Sequence, residues 1–380
     1  MSGRPMSGGP MSGGPMGASP DRYLEEIRGQ PAAIRRAVAA LERQAGALRQ
    51  VAALADRRPI ILTGMGSSHD ACLAAAAALG AVGILATPIG AAELVHVRRR
   101  LLAGGGILVV VSQSGASAEI VRLAEVVHAL PRRPYVVAIT NGPHTPLAAR
   151  VDIALDTAAG LERCPSTMTF AGSLVALAAV AGVLGDGGGG GPGPGAAARV
   201  AAVFDEVAAA GEAAARAAEA LLVGHWTIGD RLLAWLGSRR TVVALGRGTG
   251  LAAAEMGVLT LEEAAALPAI ALPTAEFRHG PLEIVGPDVA VILFSLEPAT
   301  TALDRAFAAE LAAAGAAVLL VGPAGITEPG VESVAVGGPR GLLAPAPAVI
   351  PVQLLARRLA IARGRRPCEM THASKVTTRE

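Results

Sequence analysis

Along the chain, short apolar runs with the length of β-strands alternate with Ala/Leu-rich stretches of helical length. The apolar runs are rich in β-branched residues, and they end at Gly, Ser or Asn. Such alternation predicts parallel sheets covered by helices on both faces. Helices at about 23–55 and 197–222 are predicted to lead into the sheets. The pattern therefore predicts an α/β fold.

The strand pattern occurs twice with a constant offset. The matching segments are 59–68 with 241–250, 107–115 with 289–297, and 135–141 with 317–323. Each pair is 182 residues apart, and 151–156 and 333–338 extend the series more loosely. A duplicated, doubly wound α/β unit explains this repeat. The Gly/Pro-rich run 187–195 between the copies predicts a flexible linker.

Composition narrows the possible functions. The length of 380 residues allows two domains, and 52% hydrophobic but only 2% aromatic residues predict an aliphatic core. A net charge of +2, without a basic stripe, argues against a nucleic-acid partner. The three cysteines are widely spaced, which predicts neither a disulfide framework nor a zinc site.

Two apolar segments raise the question of a membrane. Residues 73–92 are interrupted by Gly and Pro, and 170–185 are shorter than the roughly 20 residues that a spanning helix needs. The repetitive start, through Pro20, has no apolar stretch and predicts a disordered tail rather than a signal peptide. The sequence therefore predicts a soluble cytoplasmic protein that does not bind a membrane.

The two copies differ most where strands end and helices begin, the edge at which open parallel sheets bind ligands. The first copy has the loops 64–68 (GMGSS) and 112–117 (SQSGAS), whereas the second copy has FSLE at 294–297. Serine hydroxyls and backbone N–H groups at helix N-termini can hold a phosphate. Helix capping explains one serine in a loop but not three in six residues. The first copy is therefore predicted to bind phosphate.

Paired α/β units with these serine loops resemble sugar isomerase (SIS) domains. The segments 246–248 (GRG), 275–281 (AEFRHGP) and 374–378 (SKVTT) are similar to the isomerase half of glucosamine-6-phosphate synthase and to SIS-type glucosamine-6-phosphate deaminases. The opening helix 23–36 matches as well, and the similarity covers about 22–380. The resemblance implies two tandem SIS domains, each a doubly wound parallel sheet flanked by helices, followed by a C-terminal tail loop.

The resemblance also implies a site for a phosphorylated sugar in the first domain. The positions that match the family's phosphate pocket are Ser68, Ser112, Gln113, Ser114 and Ser117. Ser67 and Ser166 match hydroxyls that lie near the sugar in the family. No metal and no organic cofactor are implied.

Two further positions match catalytic groups of the family. Glu263 lies 16 residues before His279, which is the family's spacing between the proton-transferring carboxylate and the histidine of the H-G-P motif. Moving a proton between C1 and C2 of a sugar needs one base over both carbons, and ring opening needs a separate acid or base. In the family the histidine reaches into the neighbouring subunit, so the resemblance implies a homodimer with shared sites.

Lys375 is the only lysine beside 32 arginines. An amine can attack a carbonyl, whereas a guanidinium cannot lose its proton near neutral pH. The terminal lysine of the family lies over the sugar carbonyl, so the resemblance implies that Lys375 is catalytic. The chain departs from the family at Thr260 and Met168, where lysines are usual, at Ala116, where glutamate is usual, and at Pro268.

These observations predict an enzyme, most simply a glucosamine-6-phosphate deaminase. Ser2 stands where the synthase has its catalytic cysteine, so no glutaminase domain is expected. The alternatives are an aldose–ketose isomerase, a fructosamine-phosphate deglycase, an isomerase domain of an aminotransferase without glutaminase, or a sugar-phosphate sensor without catalysis. The predicted boundaries are a tail at 1–21, SIS domains at 22–186 and 200–365, a linker at 187–199 and a catalytic tail at 366–380.

Overall fold

The computed structural model describes residues 21–185, 194–325 and 328–379. Most of the predicted N-terminal tail and residues 187–193 of the predicted linker lie outside this part of the chain. The rest of that linker, 194–199, forms the first turns of a helix, because the alanines after Gly195 continue the helical pattern of the following segment.

Within residues 21–185, 194–325 and 328–379, ten strands form two sheets. The strands of the first half are β1 (Ile60–Thr63), β2 (Ala86–Pro88), β3 (Ile107–Val111), β4 (Tyr135–Thr140) and β5 (Ile153–Asp156). Those of the second half are β6 (Thr241–Gly246), β7 (Ala269–Pro273), β8 (Val289–Phe294), β9 (Ala317–Gly322) and β10 (Val331–Ala335). The edge strand β7 was not predicted, since Pro268 precedes it and Pro273 ends it, and prolines are unfavourable within strands.

The helices alternate with the strands. In the first half they are α1 (Arg22–Arg43), α2 (Ala45–Ala52), α3 (Ser67–Ala81), α4 (Ala91–His96), α5 (Ala118–His128) and α6 (Met168–Gly185). The remaining helices are α7 (Pro194–Val223), α8 (His225–Leu236), α9 (Thr249–Ala265), α10 (Thr274–Phe277), α11 (Thr301–Ala313), α12 (Pro345–Ala348) and α13 (Ile350–Ala362).

Both sheets are parallel and have the same topology. The strand order is β2-β1-β3-β4-β5 in the first and β7-β6-β8-β9-β10 in the second. Leu62 pairs with Val109 in the first sheet, and Val243 pairs with Val291 in the second. After the second strand, the chain crosses back over the first strand to add the third on its other side. The crevice between the first and third strands of each half is where ligands bind in such sheets. The predicted duplication of a doubly wound unit is confirmed.

A shared apolar layer joins the two halves. The inner faces of both sheets pack against α1, α3, α6, α7, α9 and α13, while separate apolar clusters cover each outer face. Burial on both faces explains why the central strands are continuous apolar runs. Helix α3 packs directly against α9, and this contact brings the ligand edge of the first half close to a helix of the second.

In the part of the chain that the structure describes, two segments are long and apolar enough to span a membrane by composition, Met168–Gly185 and Gly341–Ala362. In the folded protein 78% and 94% of these segments are buried. That is the burial of helices that belong to a protein core.

Candidate functional site

The loop between β1 and α3 forms one wall of the site. Gly66 has a φ of +51°, and a Cβ on Gly64 would lie 2.8 Å from the carbonyl carbon of Ser68. Only glycine fits this close turn without strain. The turn places Ser67 and Ser68 in the first turn of α3, and both residues line the cavity described below.

The loop between β3 and α5 forms the adjacent wall. The Ser112 hydroxyl accepts a hydrogen bond from the Gly115 N–H at 3.1 Å, and the Ser114 hydroxyl accepts one from the Ala116 N–H at 3.2 Å. Because each hydroxyl acts as an acceptor within the loop, its own proton is left to donate to a ligand. Ser117 occupies the N-cap position of α5 without making a side-chain capping bond to the described backbone.

Helix α9 of the second half carries Glu263 to the opposite side of these loops. Its side chain is half-buried. Burial raises the pKa of the Glu263 carboxyl, the charges of Glu162 and Glu262 raise it further, and the nearby Lys375 ammonium opposes the shift. A carboxylate with a raised pKa is a suitable base for moving a proton on carbon.

The C-terminal segment, residues 366–379, closes the site. Lys375 donates hydrogen bonds through Nζ to Glu162 Oε2 at 2.8 Å and to the Cys164 carbonyl oxygen at 2.7 Å. The Thr377 carbonyl accepts a hydrogen bond from the Ala118 N–H at the start of α5, at 3.0 Å. An ammonium has three N–H groups, so one of them remains for a ligand.

Glu162 is the buried partner that the sequence did not reveal. Besides Lys375, its carboxylate accepts hydrogen bonds from the Thr167 N–H at 2.8 Å and from the Thr169 hydroxyl at 2.5 Å. Burial alone would raise the pKa of the Glu162 carboxyl, but the Lys375 charge and these donors outweigh it and hold the pKa below the ordinary value. The one sequence feature that could have indicated Glu162 is its position: it is an acid four residues before Ser166, in a segment that leads into an apolar helix.

A disulfide links the same two segments. The prediction that the cysteines form no disulfide is wrong, because Cys164 and Cys368 are bonded with their Cα atoms 4.5 Å apart. Their separation of 204 residues in sequence gave no information about their distance after folding. The third cysteine, Cys72, is free and buried.

A cavity of about 190 Å³ lies between these elements. The predicted residues that line it are Ser67, Ser68, Ser112, Gln113, Ser114, Ser117, Ser166, Glu263 and Lys375. His279 does not line it: the residue is exposed after α10. Its action in a neighbouring subunit stays a prediction.

The departures from the family are also accommodated in the fold. Thr260 is fully buried, and its hydroxyl has no hydrogen-bond partner among the described residues. Met168 is buried at the start of α6 and packs beside Gly29, where a Cβ would lie 2.7 Å from its sulfur. Apolar or neutral side chains therefore fill places where the family resemblance led us to expect lysines.

The curated relatives of this chain include an aminotransferase. The glutamine–fructose-6-phosphate aminotransferase (isomerizing) of Pyrobaculum aerophilum is 30% identical over 95% of this chain, which spans 58% of that protein. Two of the solved structures that share the fold are a deaminase and an isomerase. The glucosamine-6-phosphate deaminase of Thermotoga maritima has a TM-score of 0.69 and 19% identity, with 94% of this chain and 99% of that one covered.

The second structure is the tagatose-6-phosphate ketose/aldose isomerase of Escherichia coli. It has a TM-score of 0.72 and 21% identity, with 96% of this chain and 100% of that one covered. These relatives are enzymes, and the prediction of an SIS-family enzyme is confirmed at that level. The SIS domain family itself matches residues 53–181 and 236–328, more than half of the chain. The chain therefore belongs to the SIS domain family.

Proposed function

We propose that this chain binds a phosphorylated amino sugar in the 190 Å³ cavity and releases its nitrogen as ammonia. One observation carries the proposal: three distant parts of the chain meet at this cavity. They are the serine loops of the first half, Glu263 on α9 of the second half, and Lys375 on the C-terminal segment. Phosphate-binding groups therefore face a base and an ammonium across a space for one small ligand.

The phosphate is held on the serine side. Helices α3 and α5 both begin at the cavity, and the N-terminus of each carries a partial positive charge. The hydroxyl protons of Ser112 and Ser114 are free to point at the ligand, and those of Ser67, Ser68 and Ser117 border the same space. A dianionic phosphate is the ligand group that this arrangement suits best.

The sugar carbons then lie toward Glu263 and Lys375. In the ring-opened form of glucosamine 6-phosphate, Glu263 takes the proton from C2 and returns it to C1. The C1 oxygen gains a proton and the nitrogen loses one, so that the bond between C2 and nitrogen becomes an imine. Water adds to C2, and the carbon–nitrogen bond breaks as a proton from the new hydroxyl passes to the leaving nitrogen. The products are fructose 6-phosphate and ammonia, and Lys375 donates its remaining N–H to the sugar oxygen that gains negative charge.

Deamination fits these groups because its co-reactant is water, whereas amino transfer also needs a nitrogen donor. An aldose–ketose isomerase would use the same base and the same phosphate site and remains the second candidate. A deglycase would cleave a larger N-substituent, and a sensor would bind without turnover. We also propose a cytoplasmic location, because the substrates are intermediates of central sugar metabolism.

One assay separates these candidates. Purified full-length protein is incubated with a panel of hexosamine 6-phosphates, fructosamine 6-phosphates and hexose 6-phosphates, and both ammonia and ketose products are measured. The deaminase proposal predicts ammonia and fructose 6-phosphate in equal amounts from glucosamine 6-phosphate. Ketose–aldose conversion without ammonia would establish the isomerase instead, and binding without any product would establish the sensor.

We further propose a homodimer in which His279 of one subunit serves the cavity of the other. The exposure of His279 and its absence from the lining of its own cavity support this arrangement. The inactive variants Glu263→Gln and His279→Ala are mixed and allowed to exchange subunits. Part of the activity is expected to return, since one site of each hybrid dimer has both an intact Glu263 and an intact His279. Unchanged inactivity of exchanged dimers would place each complete site within one chain.

A further inference from the structure

The Cys164–Cys368 disulfide connects the two segments that meet at Lys375. Cys164 lies two residues after Glu162, and its carbonyl oxygen accepts a hydrogen bond from Lys375 Nζ at 2.7 Å. Cys368 lies near the start of the C-terminal segment and packs against the shared core. The bridge therefore joins the acceptor of Lys375 to the segment that carries Lys375.

The C-terminal segment has few other attachments. It contains neither helix nor strand in the described residues 366–379, and most of its side chains are exposed. Within the part of the chain that the structure describes, three hydrogen bonds hold it to the rest: two from Lys375 and one to the Thr377 carbonyl. The Lys375 side chain is 26% exposed, so water weakens its ion pair with Glu162. Among the described residues, the disulfide is the one covalent link besides the backbone at residue 366.

We propose that the Cys164–Cys368 disulfide positions Lys375 in the sugar cavity, so that the redox state of the bridge controls turnover. This inference rests on the proposed function of the same site. With the bridge intact, the C-terminal segment stays on the cavity and the ammonium stays beside the sugar. Without the bridge, the segment leaves the cavity for part of the time, and Lys375 leaves with it.

The switching chemistry is thiol–disulfide exchange with a dithiol. A thiolate of the dithiol attacks one sulfur of the bridge, the sulfur–sulfur bond breaks, and a mixed disulfide forms. The second thiol of the reagent then attacks this mixed disulfide. The bridge gains two electrons and two protons and becomes two cysteine thiols, while the dithiol is oxidised to a disulfide. An oxidised dithiol reverses the reaction.

The third cysteine does not take part in this exchange. Cys72 is fully buried on α3, and burial raises the pKa of its thiol, so the reactive thiolate does not form. In a cytoplasmic protein, moreover, a disulfide is usually transient or redox-sensing rather than permanent. The proposed location and the position of the bridge thus both favour a regulatory role over a purely structural one.

The test compares oxidised and reduced full-length protein, with the thiol count of each form verified by mass spectrometry. Reduction with dithiothreitol is expected to lower kcat about 10- to 100-fold, because a misplaced catalytic group costs up to this much. The KM for the sugar phosphate changes much less, since the serine loops are untouched. Reoxidation restores kcat, which simple unfolding would not.

Two variants serve as controls. Cys72→Ala keeps the bridge and is expected to respond to dithiothreitol like the wild type. The double substitution Cys164→Ser with Cys368→Ser removes the bridge and is expected to have the kcat of the reduced wild type and no redox response. A double variant as active as the oxidised wild type would overturn the proposal.

A second measurement does not depend on turnover. Hydrogen–deuterium exchange of residues 366–379 is expected to speed up on reduction in the wild type and in Cys72→Ala. If exchange speeds up but no substrate is turned over in either state, the tether is supported and the proposed function is rejected. If reduction leaves both the exchange and kcat unchanged, or lowers kcat without loosening this segment, the positioning role is rejected.

Discussion

The two halves of the chain have the same topology but use the ligand edge of the sheet differently. Ser112 in the first half is structurally equivalent to Ser295 in the second, one residue beyond the constant offset of the sequence repeat, since the N–H of each donates to the end of the next strand at 2.9 Å. After Ser112 the loop leaves hydroxyl protons free beside a cavity. After Ser295 the chain places Glu297 at the N-terminus of α9.

In the second half, the protein's own carboxylates take the equivalent donors, although a cavity of about 300 Å³ lies beside Ser295. Glu297 accepts hydrogen bonds from the Thr249 N–H at 2.8 Å and from the Thr249 hydroxyl at 2.7 Å. The buried Asp304 accepts from Arg247 Nε at 3.0 Å and from the Ser295 hydroxyl at 3.1 Å. The serine loops of the first half thus keep hydroxyl protons for the proposed substrate, whereas the equivalent donors of the second half are paired internally.

Duplication of the fold has produced a cavity lined by residues from both halves. Under the proposed function, the first half supplies the phosphate loops, and the second supplies Glu263 on α9, the helix whose N-terminus binds Glu297. Because α3 and α9 pack together, the base of one half faces the phosphate loops of the other. Changes in the first half should therefore affect binding, and changes in the second half should affect chemistry or stability.

The largest expected effect is on chemistry in the second half. Glu263→Gln should lower the exchange of the C1/C2 proton about 10²–10⁴-fold, because a positioned base is lost. Binding of fructose 6-phosphate should persist. Proton exchange into D₂O, followed by NMR, measures the rate. The matched control is Glu262→Gln, which alters the exposed neighbour that does not line the cavity, and full exchange in Glu263→Gln would assign the base elsewhere.

The same carboxylate predicts the pH profile. Burial raises the pKa of Glu263 above its ordinary value of 4.5, and only the deprotonated form is a base. The rate of the wild type should therefore rise with pH through this raised pKa, so its acidic limb should lie above pH 4.5.

The next effect is on binding in the first half. Ser112→Ala with Ser114→Ala should raise the Kd for fructose 6-phosphate about 100-fold or more, because each hydrogen bond to a charged group contributes about 1.5–3 kcal/mol. Calorimetric titration measures it. Ser295→Ala, the equivalent change in the second half, should leave this Kd unchanged. If Ser295→Ala weakened fructose 6-phosphate binding more than the double variant did, the phosphate would be bound by the second half instead of the first.

A smaller effect concerns the buried carboxylate that anchors Lys375. The folded-state pKa of Glu162 is lowered, so the stabilisation is fully present above the unfolded value of about 4.5 and is lost as the pH falls through the folded pKa. Glu162→Gln should cost about 1.5–3 kcal/mol near neutral pH, and this cost should shrink in acid. Urea denaturation at several pH values measures it, with the exposed Glu276→Gln as the control. A cost independent of pH would contradict the ion pair.

The serine loops of this site could be predicted from the sequence because they follow strands, whereas Ser166, Glu263 and Lys375 were assigned with the help of the family resemblance. Ser67, Ser112 and Ser114 end apolar runs, and strand ends of a parallel sheet share one edge. Glu162 and the Cys164–Cys368 disulfide could not be predicted in this way. They depend on the C-terminal segment crossing back to residues more than 200 positions earlier, and no local pattern records such a contact.

The smallest expected effect concerns Glu297, the carboxylate bound at the N-terminus of α9. Glu297→Gln should weaken the cap on α9 and lower the free energy of unfolding by about 1 kcal/mol, with little change in the Kd for fructose 6-phosphate. Thermal denaturation and calorimetry measure the two quantities. A marked loss of sugar binding in this variant would show that the second edge takes part in binding after all.

The most direct test of the unequal halves is hydrogen–deuterium exchange of the wild type with and without fructose 6-phosphate. The account predicts slower exchange at 66–68 and 112–118 when the sugar is bound, and no change at the equivalent loop, 295–301. Protection at 295–301, or none at 112–118, would contradict the claim that only the first half binds the phosphate.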